Sequence, residues 1–298
     1  MNSASAEMNA FVRVIERGSF AAAAGDLGLT PSALSKLVTR IEDRLGVRLL
    51  TRTTRRLVLT AEGELFVARS REILASIEAA EAEVTAGSRA PRGLLRISVG
   101  TAYAKQILGP ALPLFLARYP EITVELLVSD RQIDLVAEQV DLAIRSGQLG
   151  DSTLVARKLT DARRLICASP LYLKKHGSPR VPADLLRHNC LTLTGFAQIN
   201  QWPFHTDEGI NRLAISGTFA SDNADLLLDA TVAGLGIARL ADFVVARALQ
   251  EGALVRLLED THLSEPFPIH VVTVPGRHRT PRVKAFTDFM ISQLNDAR

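Results

Sequence analysis

Apolar residues recur at helical spacing from the start of the chain. Met8, Phe11, Val12 and Ile15 predict a helix over Ser3 to Arg17 with Gly18 as its stop. Ser19 is placed to cap a second helix ending at Leu27, and Thr30 a third with Pro31 in its first turn, where a missing N–H costs nothing. Two helices joined by so short a turn have the sequence form of a helix-turn-helix. On the third helix Leu34, Val38, Ile41 and Leu45 form one stripe, with Ser32, Lys36 and Thr39 opposite and Ser35 and Arg40 on the flanks. Leu49 to Leu59 then has strand-like ends around a polar, basic centre, which predicts a hairpin.

Further along, Phe66, Ser70, Ile73, Ile77, Ala80 and Val84 alternate steps of four and three, the seam of a long helix that Thr60 can cap. A partner helix or the helix's own domain could cover that seam. After the breaker-rich stretch 87–93 the pattern changes. Leu94 to Val99 and Ile122 to Val128 read as strands, and Lys105 to Arg118 as a helix interrupted by Pro110 and Pro113. Gln132 to Gln139 reads as a helix and Asp141 to Arg145 as a strand. Arg164 to Ala168, Cys190 to Thr194, Ala224 to Ala233 and Phe243 to Leu249 continue the alternation, which predicts a parallel sheet with crossover helices. About two hundred residues of this kind suit two lobes.

Charge sharpens the reading of the N-terminal part. Seven basic residues lie between Lys36 and Arg56 against two acids, Glu42 and Asp43, although the whole chain carries only +3. Small hydroxyls near the N-terminus of the third helix can reach base edges, and cations one turn later guanine or phosphate. Arg52, Arg55 and Arg56 at the hairpin tip would meet a phosphate backbone or a minor groove. A solvated amphipathic helix is the bland alternative, and the basic hairpin after it argues for DNA.

These same residues resemble the LysR-type transcriptional regulators. The resemblance is carried by Gly18-Ser19-Phe20, Ala23-Ala24, Leu27-Gly28-Leu29-Thr30, Ser32-Ala33-Leu34-Ser35-Lys36, Ile41-Glu42, Leu45-Gly46-Val47, Arg52-Thr53-Thr54-Arg55-Arg56 and Glu62-Gly63, over some sixty residues without a gap. Pro31 and Leu37 depart from it, since family members often carry Gln there. The expected DNA contacts are therefore Ser32, Ser35, Lys36, Thr39, Arg40, Arg52, Thr53, Arg55 and Arg56. The likeness continues through Tyr119-Pro120, Asp141-Leu142-Ala143-Ile144-Arg145, Ala168-Ser169-Pro170-Leu171-Tyr172-Leu173 and Ala233-Gly234-Leu235-Gly236-Ile237-Ala238.

The resemblance implies an α/β chain in three parts. A winged helix-turn-helix occupies residues 1–60, a dimerising linker helix 61–90, and a two-lobed effector-binding domain 91–298 with a fold like the periplasmic binding proteins. Lobe I would take 91–161 and 270–298, and lobe II 162–269. Ligands in such folds sit where strands end, using free N–H groups and hydroxyls. The candidate effector contacts are Thr101, Ala102, Ser129, Arg145, Phe196 and Asn223, and Thr101 matches the family's position for a hydroxyl contact. The implied partners are promoter DNA, a small-molecule effector, a second or further copies of the chain, and RNA polymerase.

Other functions fare worse. Gly234-Leu235-Gly236 is half a dinucleotide fingerprint with Arg239 in the third glycine position, and no nucleophile elbow, phosphate-binding loop or His-Glu-x-x-His occurs. The six histidines have no metal-ligand spacing, so neither a metal nor a catalytic cofactor is expected. Two alternatives remain, an architectural DNA-binding protein whose C-terminal part only assembles subunits, and an enzyme with a nucleic-acid-binding appendage. Cys167 and Cys190 make no disulfide framework, and Cys167 in an apolar run reads as a small core residue. With no signal peptide and no apolar run near twenty residues, a cytoplasmic, soluble chain is expected.

Overall fold

The computed structural model describes residues 4–52, 57–84, 90–131, 133–135, 138, 140–148, 154–195 and 197–296. The N-terminal part comprises α1 (Ala4–Arg17), α2 (Phe20–Leu27), α3 (Pro31–Leu45), β1 (Leu50–Arg52), β2 (Leu57–Leu59) and α4 (Ala61–Val84). Local chemistry sets the helix ends. Ser19 Oγ accepts the Ala22 N–H at 3.2 Å and Thr30 Oγ1 the Ala33 N–H at 3.2 Å, while Gly28 and Gly46 take left-handed conformations that close α2 and α3. Phe11, Val14, Ala23, Leu34, Leu37, Val38, Ile41 and Leu49 share one core. The stripe on α3 is therefore wider than its spacing predicted, and it ends earlier. Leu37 is buried and Leu45 is 40% exposed, because Glu42 turns inward where the chain doubles back at Gly46.

The effector region begins with β3 (Gly93–Val99). A single helical run follows, α5 (Thr101–Tyr103) leading through a π turn (Ala104–Leu108) into α6 (Gly109–Arg118). The expected interruption by proline is instead a local widening. Pro110 would clash with the carbonyl four residues back in an α-helix, and the wider π turn, closed by Gly109 N–H to Ala104 C=O, absorbs the misfit. Then come β4 (Ile122–Val128), β5 (Leu142–Ser146), β6 (Val155–Ala162), β7 (Arg164–Ala168), α7 (Pro170–His176), β8 (Cys190–Leu193), β9 (Gln201–Thr206), β10 (Gly209–Ala214), β11 (Ala220–Ser221), α8 (Ala224–Val232), β12 (Ile237–Ala241), α9 (Asp242–Gln250), β13 (Val255–Arg256), β14 (Phe267–Thr273) and α10 (Pro281–Asp296). The helix expected over Gln132 to Gln139 lies partly outside the described residues; of the described ones, Leu135 and Glu138 lie in turns.

Two five-stranded sheets result, in the orders β4-β3-β5-β14-β6 and β11-β8-β12-β7-β13. They are mixed rather than parallel as expected. The first is parallel across β4, β3 and β5, but β14 pairs antiparallel with both β5 and β6. The reason is topological. After β6 the chain leaves for the second lobe, and β14 re-enters from it with no crossover helix to impose a direction. The hairpin β9–β10, unforeseen in the sequence, buries Trp202 and Phe204 against the second lobe.

The seam of α4 is divided. Phe66 packs edge-on to Phe11 with ring centroids 5.4 Å apart, and Ser70 is buried, so the first half of the stripe serves the helix's own domain. Ile73 and Ile77 remain 42% and 39% exposed; the side chain of Val84 lies outside the described set. Gly63 lets α4 start tightly against the hairpin, since a Cβ there would lie 2.0 Å from the Leu49 carbonyl oxygen.

Cys167 and Cys190 are both free and buried. Strand β12 lies between their strands, and the two side chains enter different cores on opposite faces of the sheet. Two strand spacings, ~9.5 Å, exceed disulfide reach. Burial pushes each thiol up to about 12, far from a reactive thiolate.

Candidate DNA-binding surface and ligand cleft

On α3 the residues that do not pack form a ridge. Ser32, Lys36 and Arg40, four apart, are exposed, while Ser35 and Thr39 beside them are half-buried. Ser32 Oγ lies 3.1 Å from the capping Thr30 Oγ1, and the Thr39 hydroxyl donates to the Ser35 carbonyl at 3.1 Å. The ridge thus offers hydroxyls at the helix start and two cations further on. Leu37 points into the core and is unavailable to a base edge.

A buried acid fixes the hairpin beside this ridge. Glu42, 4% exposed, accepts the Leu49 and Leu50 N–H groups through Oε1 at 2.8 and 3.1 Å and Arg48 through Oε2 at 2.9 Å. Burial alone would raise this carboxyl, but the two backbone donors and Arg48 outweigh it and hold it below its ordinary value. The start of β1 is thereby locked to the end of α3. Strand β1 pairs with β2 in the register Leu50 with Leu59 and Arg52 with Leu57, which places Arg52 next to the hairpin tip. Thr53, Arg55 and Arg56 lie outside the described residues. Because Glu42 pairs with Arg48, setting both aside leaves the local excess of basic residues unchanged.

In the effector region the two lobes meet at the ends of β3 and β4. Thr101 donates its N–H to Asp130 Oδ1 at 2.8 Å, and the other oxygen of Asp130 accepts Asn223 Nδ2 from the second lobe at 3.1 Å. Asn223 also caps α8, accepting the Leu226 N–H at 3.0 Å. Gly100 makes room, since a Cβ there would stand 3.0 Å from Asp130 Oδ1. A second link joins Lys105 Nζ and Gln106 Nε2 to Asp225 Oδ1 at 3.3 and 3.4 Å, while Asp225 Oδ2 is buried without a hydrogen-bond partner. Tyr103 and Phe243 complete the contact edge to face, 5.6 Å apart, with the Tyr103 phenol raised by burial.

Of the cleft residues expected from sequence, Thr101 and Asn223 come together, both on Asp130. Ala102 packs against the core of the second lobe. Ser129 Oγ accepts the Arg131 N–H at 3.2 Å and so shapes the loop rather than bridging it. Arg145 turns to Ser98 Oγ at 3.0 Å, a half-buried position whose burial lowers its pKa. Phe196 lies outside the described residues. Asp130 was expected in the cleft only as part of the Ser129-Asp130 strand end, and Asp225, Lys105 and Gln106 were not singled out. Their only sequence signal is polarity near strand ends, shared with every loop.

A model of the bacterial regulatory helix-turn-helix proteins of the lysR family matches residues 6–64, and one of the LysR substrate-binding domain matches residues 88–295. The chain is 38% identical over 296 residues to the HTH-type transcriptional regulator CrgA of Neisseria meningitidis, with 99% of each chain covered. The solved structure of CrgA, at 37% identity, superposes with a TM-score of 0.66 over 98% of this chain and 99% of that one. AphB of Vibrio cholerae, described as a virulence activator, is 29% identical with a TM-score of 0.60 over 96% and 98%. Among the described residues no helix is long and apolar enough to cross a membrane. A DNA-reading fold at one end, a substrate-binding fold over the rest and a regulator of the same length as a relative together settle the identity: the protein belongs to the LysR family of DNA-binding transcriptional regulators with an effector-binding domain, and is not an enzyme.

Proposed function

We propose that the ridge of α3 enters the major groove, with Ser32, Ser35, Lys36 and Thr39 at base edges and Arg40 on the backbone. The hairpin, through Arg52, Thr53, Arg55 and Arg56, follows the adjoining phosphates or minor groove. The observation that supports this most is the burial pattern of one helix. Leu34, Leu37, Val38 and Ile41 are buried, whereas Ser32, Lys36 and Arg40 face outward beside a hairpin held by Glu42. In this reading residues 1–60 form the reader, 61–90 the linker helix and 91–298 the sensor, in a cytoplasmic protein. The exposed Ile73 and Ile77 of α4 pair two copies, and a dimer or tetramer engages an interrupted palindrome. RNA polymerase is the proposed downstream partner.

The effector belongs between the lobes, at Thr101, Ala102, Ser129, Arg145, Phe196 and Asn223. Asp130 stands between Thr101 and Asn223, so entry of a ligand acid or hydroxyl there requires the Asp130 link to give way, which alters how the lobes meet. Selection of bound sequences from random duplexes tests the DNA half of the proposal. Enrichment of an interrupted palindrome is expected, and recovery of sequences with no common element would refute it.

A further inference from the structure

A cavity of about 390 Å³ lies where the chain crosses between the lobes. Its wall takes Tyr103 and Ile107 from the helical run after β3, Leu165 from β7, Phe243 and Leu249 from α9, and Leu294 from α10. Phe243 packs against the cores of both lobes, and its ring meets Tyr103 edge to face at 5.6 Å. Thr101, Asp130 and Asn223, which link the lobes in the cleft, do not belong to this wall. Ile107, Leu165, Phe243, Leu249 and Leu294 are each only partly buried, so apolar surface stays uncovered around the space. Small-molecule sites are depressions of this kind, roughly 300–1,000 Å³ in volume.

Tyr103 gives the wall its polar demand. The residue is 6% exposed, and its buried hydroxyl has no hydrogen-bond partner among the described residues. A phenol taken out of water without a replacement acceptor is unfavourable. Burial raises its pKa, so the group keeps its proton and remains a donor near neutral pH. The charged groups of the wall are already engaged. Asp161 pairs with Lys158 at 2.7 Å and Arg256 with Glu259 at 3.3 Å, while Asp242 accepts the N–H groups of Arg163 and Phe243 at 3.1 and 2.8 Å. An anion entering here would meet two carboxylates against one guanidinium.

We propose that this cavity binds a small, uncharged, largely apolar molecule carrying one oxygen acceptor, such as an aryl ketone, with the Tyr103 hydroxyl donating to that oxygen. The half-buried side chains supply the apolar contact, and the acids of the wall exclude a carboxylate. It is a second small-molecule site, separate from the cleft held by Asp130. Because its walls come from both lobes, an occupant with different affinity for two arrangements of the lobes shifts the balance between them.

The test is methyl NMR of the full chain, labelled at Ile and Leu and titrated with acetophenone, with ethylbenzene, which lacks the oxygen, and with benzoate, which adds a charge. Acetophenone should shift the methyls of Ile107, Leu165, Leu249 and Leu294 saturably and bind more tightly than either analogue. Tyr103→Phe keeps the ring and removes the hydroxyl. It should weaken acetophenone about three- to tenfold while leaving ethylbenzene unchanged. Its melting temperature should not fall, since no protein group loses a partner, whereas a hydroxyl with a purely structural role would lower it. Ala246→Phe, at an exposed wall position on α9, should fill the space and abolish the shifts. Absence of saturable shifts at these methyls, equal acetophenone affinity in Tyr103→Phe, or tighter binding of benzoate would overturn the proposal.

Discussion

Glu42 shows how a single residue can position a DNA-binding surface without touching DNA. Its carboxylate collects three donors that bring the hairpin back onto α3. Because its folded pKa is lowered, its stabilisation is fully present above the unfolded value, about 4.3, and is lost as pH falls through the folded value. Glu42→Gln should cost about 1–3 kcal/mol at pH 7, by leaving donors poorly matched in a buried place. Denaturant titrations of both proteins from pH 7 to pH 3 should converge as the wild-type carboxyl protonates, and a pH-independent difference would reject this role. In the sequence Glu42 was one acid in a charge balance. Its meaning depends on Leu49 and Leu50 returning to it seven and eight residues later, which no periodicity encodes. Ser19 and Thr30 were legible as caps, because a cap acts within its own turn.

Among the elements, α4 divides its apolar positions between two uses. Phe66 and Ser70 pack inward, and Ile73 and Ile77 face out. Spacing alone could not separate these, since both halves obey one period. Replacing Ile73 and Ile77 by Asp puts like charges into the proposed pairing face while sparing the core. Sedimentation should show the assembly dissociating or rearranging, with operator affinity falling because the half-sites lose their linkage. An intact dimer with its linker helices still paired would contradict this. The sheets carry a related lesson. The strands of the first lobe were legible as apolar runs, but the antiparallel entry of β14 was not, because direction depends on a return from the second lobe.

For the molecule as a whole, the question is how a ligand between the lobes reaches the DNA. The lobes are joined through Asp130 between Thr101 and Asn223, and through Lys105 and Gln106 on Asp225. A ligand changes operator binding only through different affinity for two arrangements of these parts. Thr101→Val keeps the shape and the backbone N–H while deleting the hydroxyl. Its operator binding without effector should match wild type, and its effector titration should shift to higher concentration, with the effector taken from a thermal-shift screen of small carboxylates and aromatics. Equal effector affinity in the two proteins would place the ligand elsewhere. Thr101, Asn223 and the Ser129-Asp130 segment were legible as groups at strand ends, whereas the bridging role of Asp130 emerged only when the folded lobes brought them together.

The central claim, that the outward ridge of α3 reads sequence, is tested most directly by fluorescence anisotropy. Wild type, Ser35→Ala and Lys36→Ala would be titrated on a selected operator duplex and on a scrambled duplex of equal length at fixed salt. The account predicts a loss of about 1–3 kcal/mol on the operator for each variant and a smaller loss on the scrambled duplex. Unchanged preference for the operator in both variants would contradict it and move the readout off this helix.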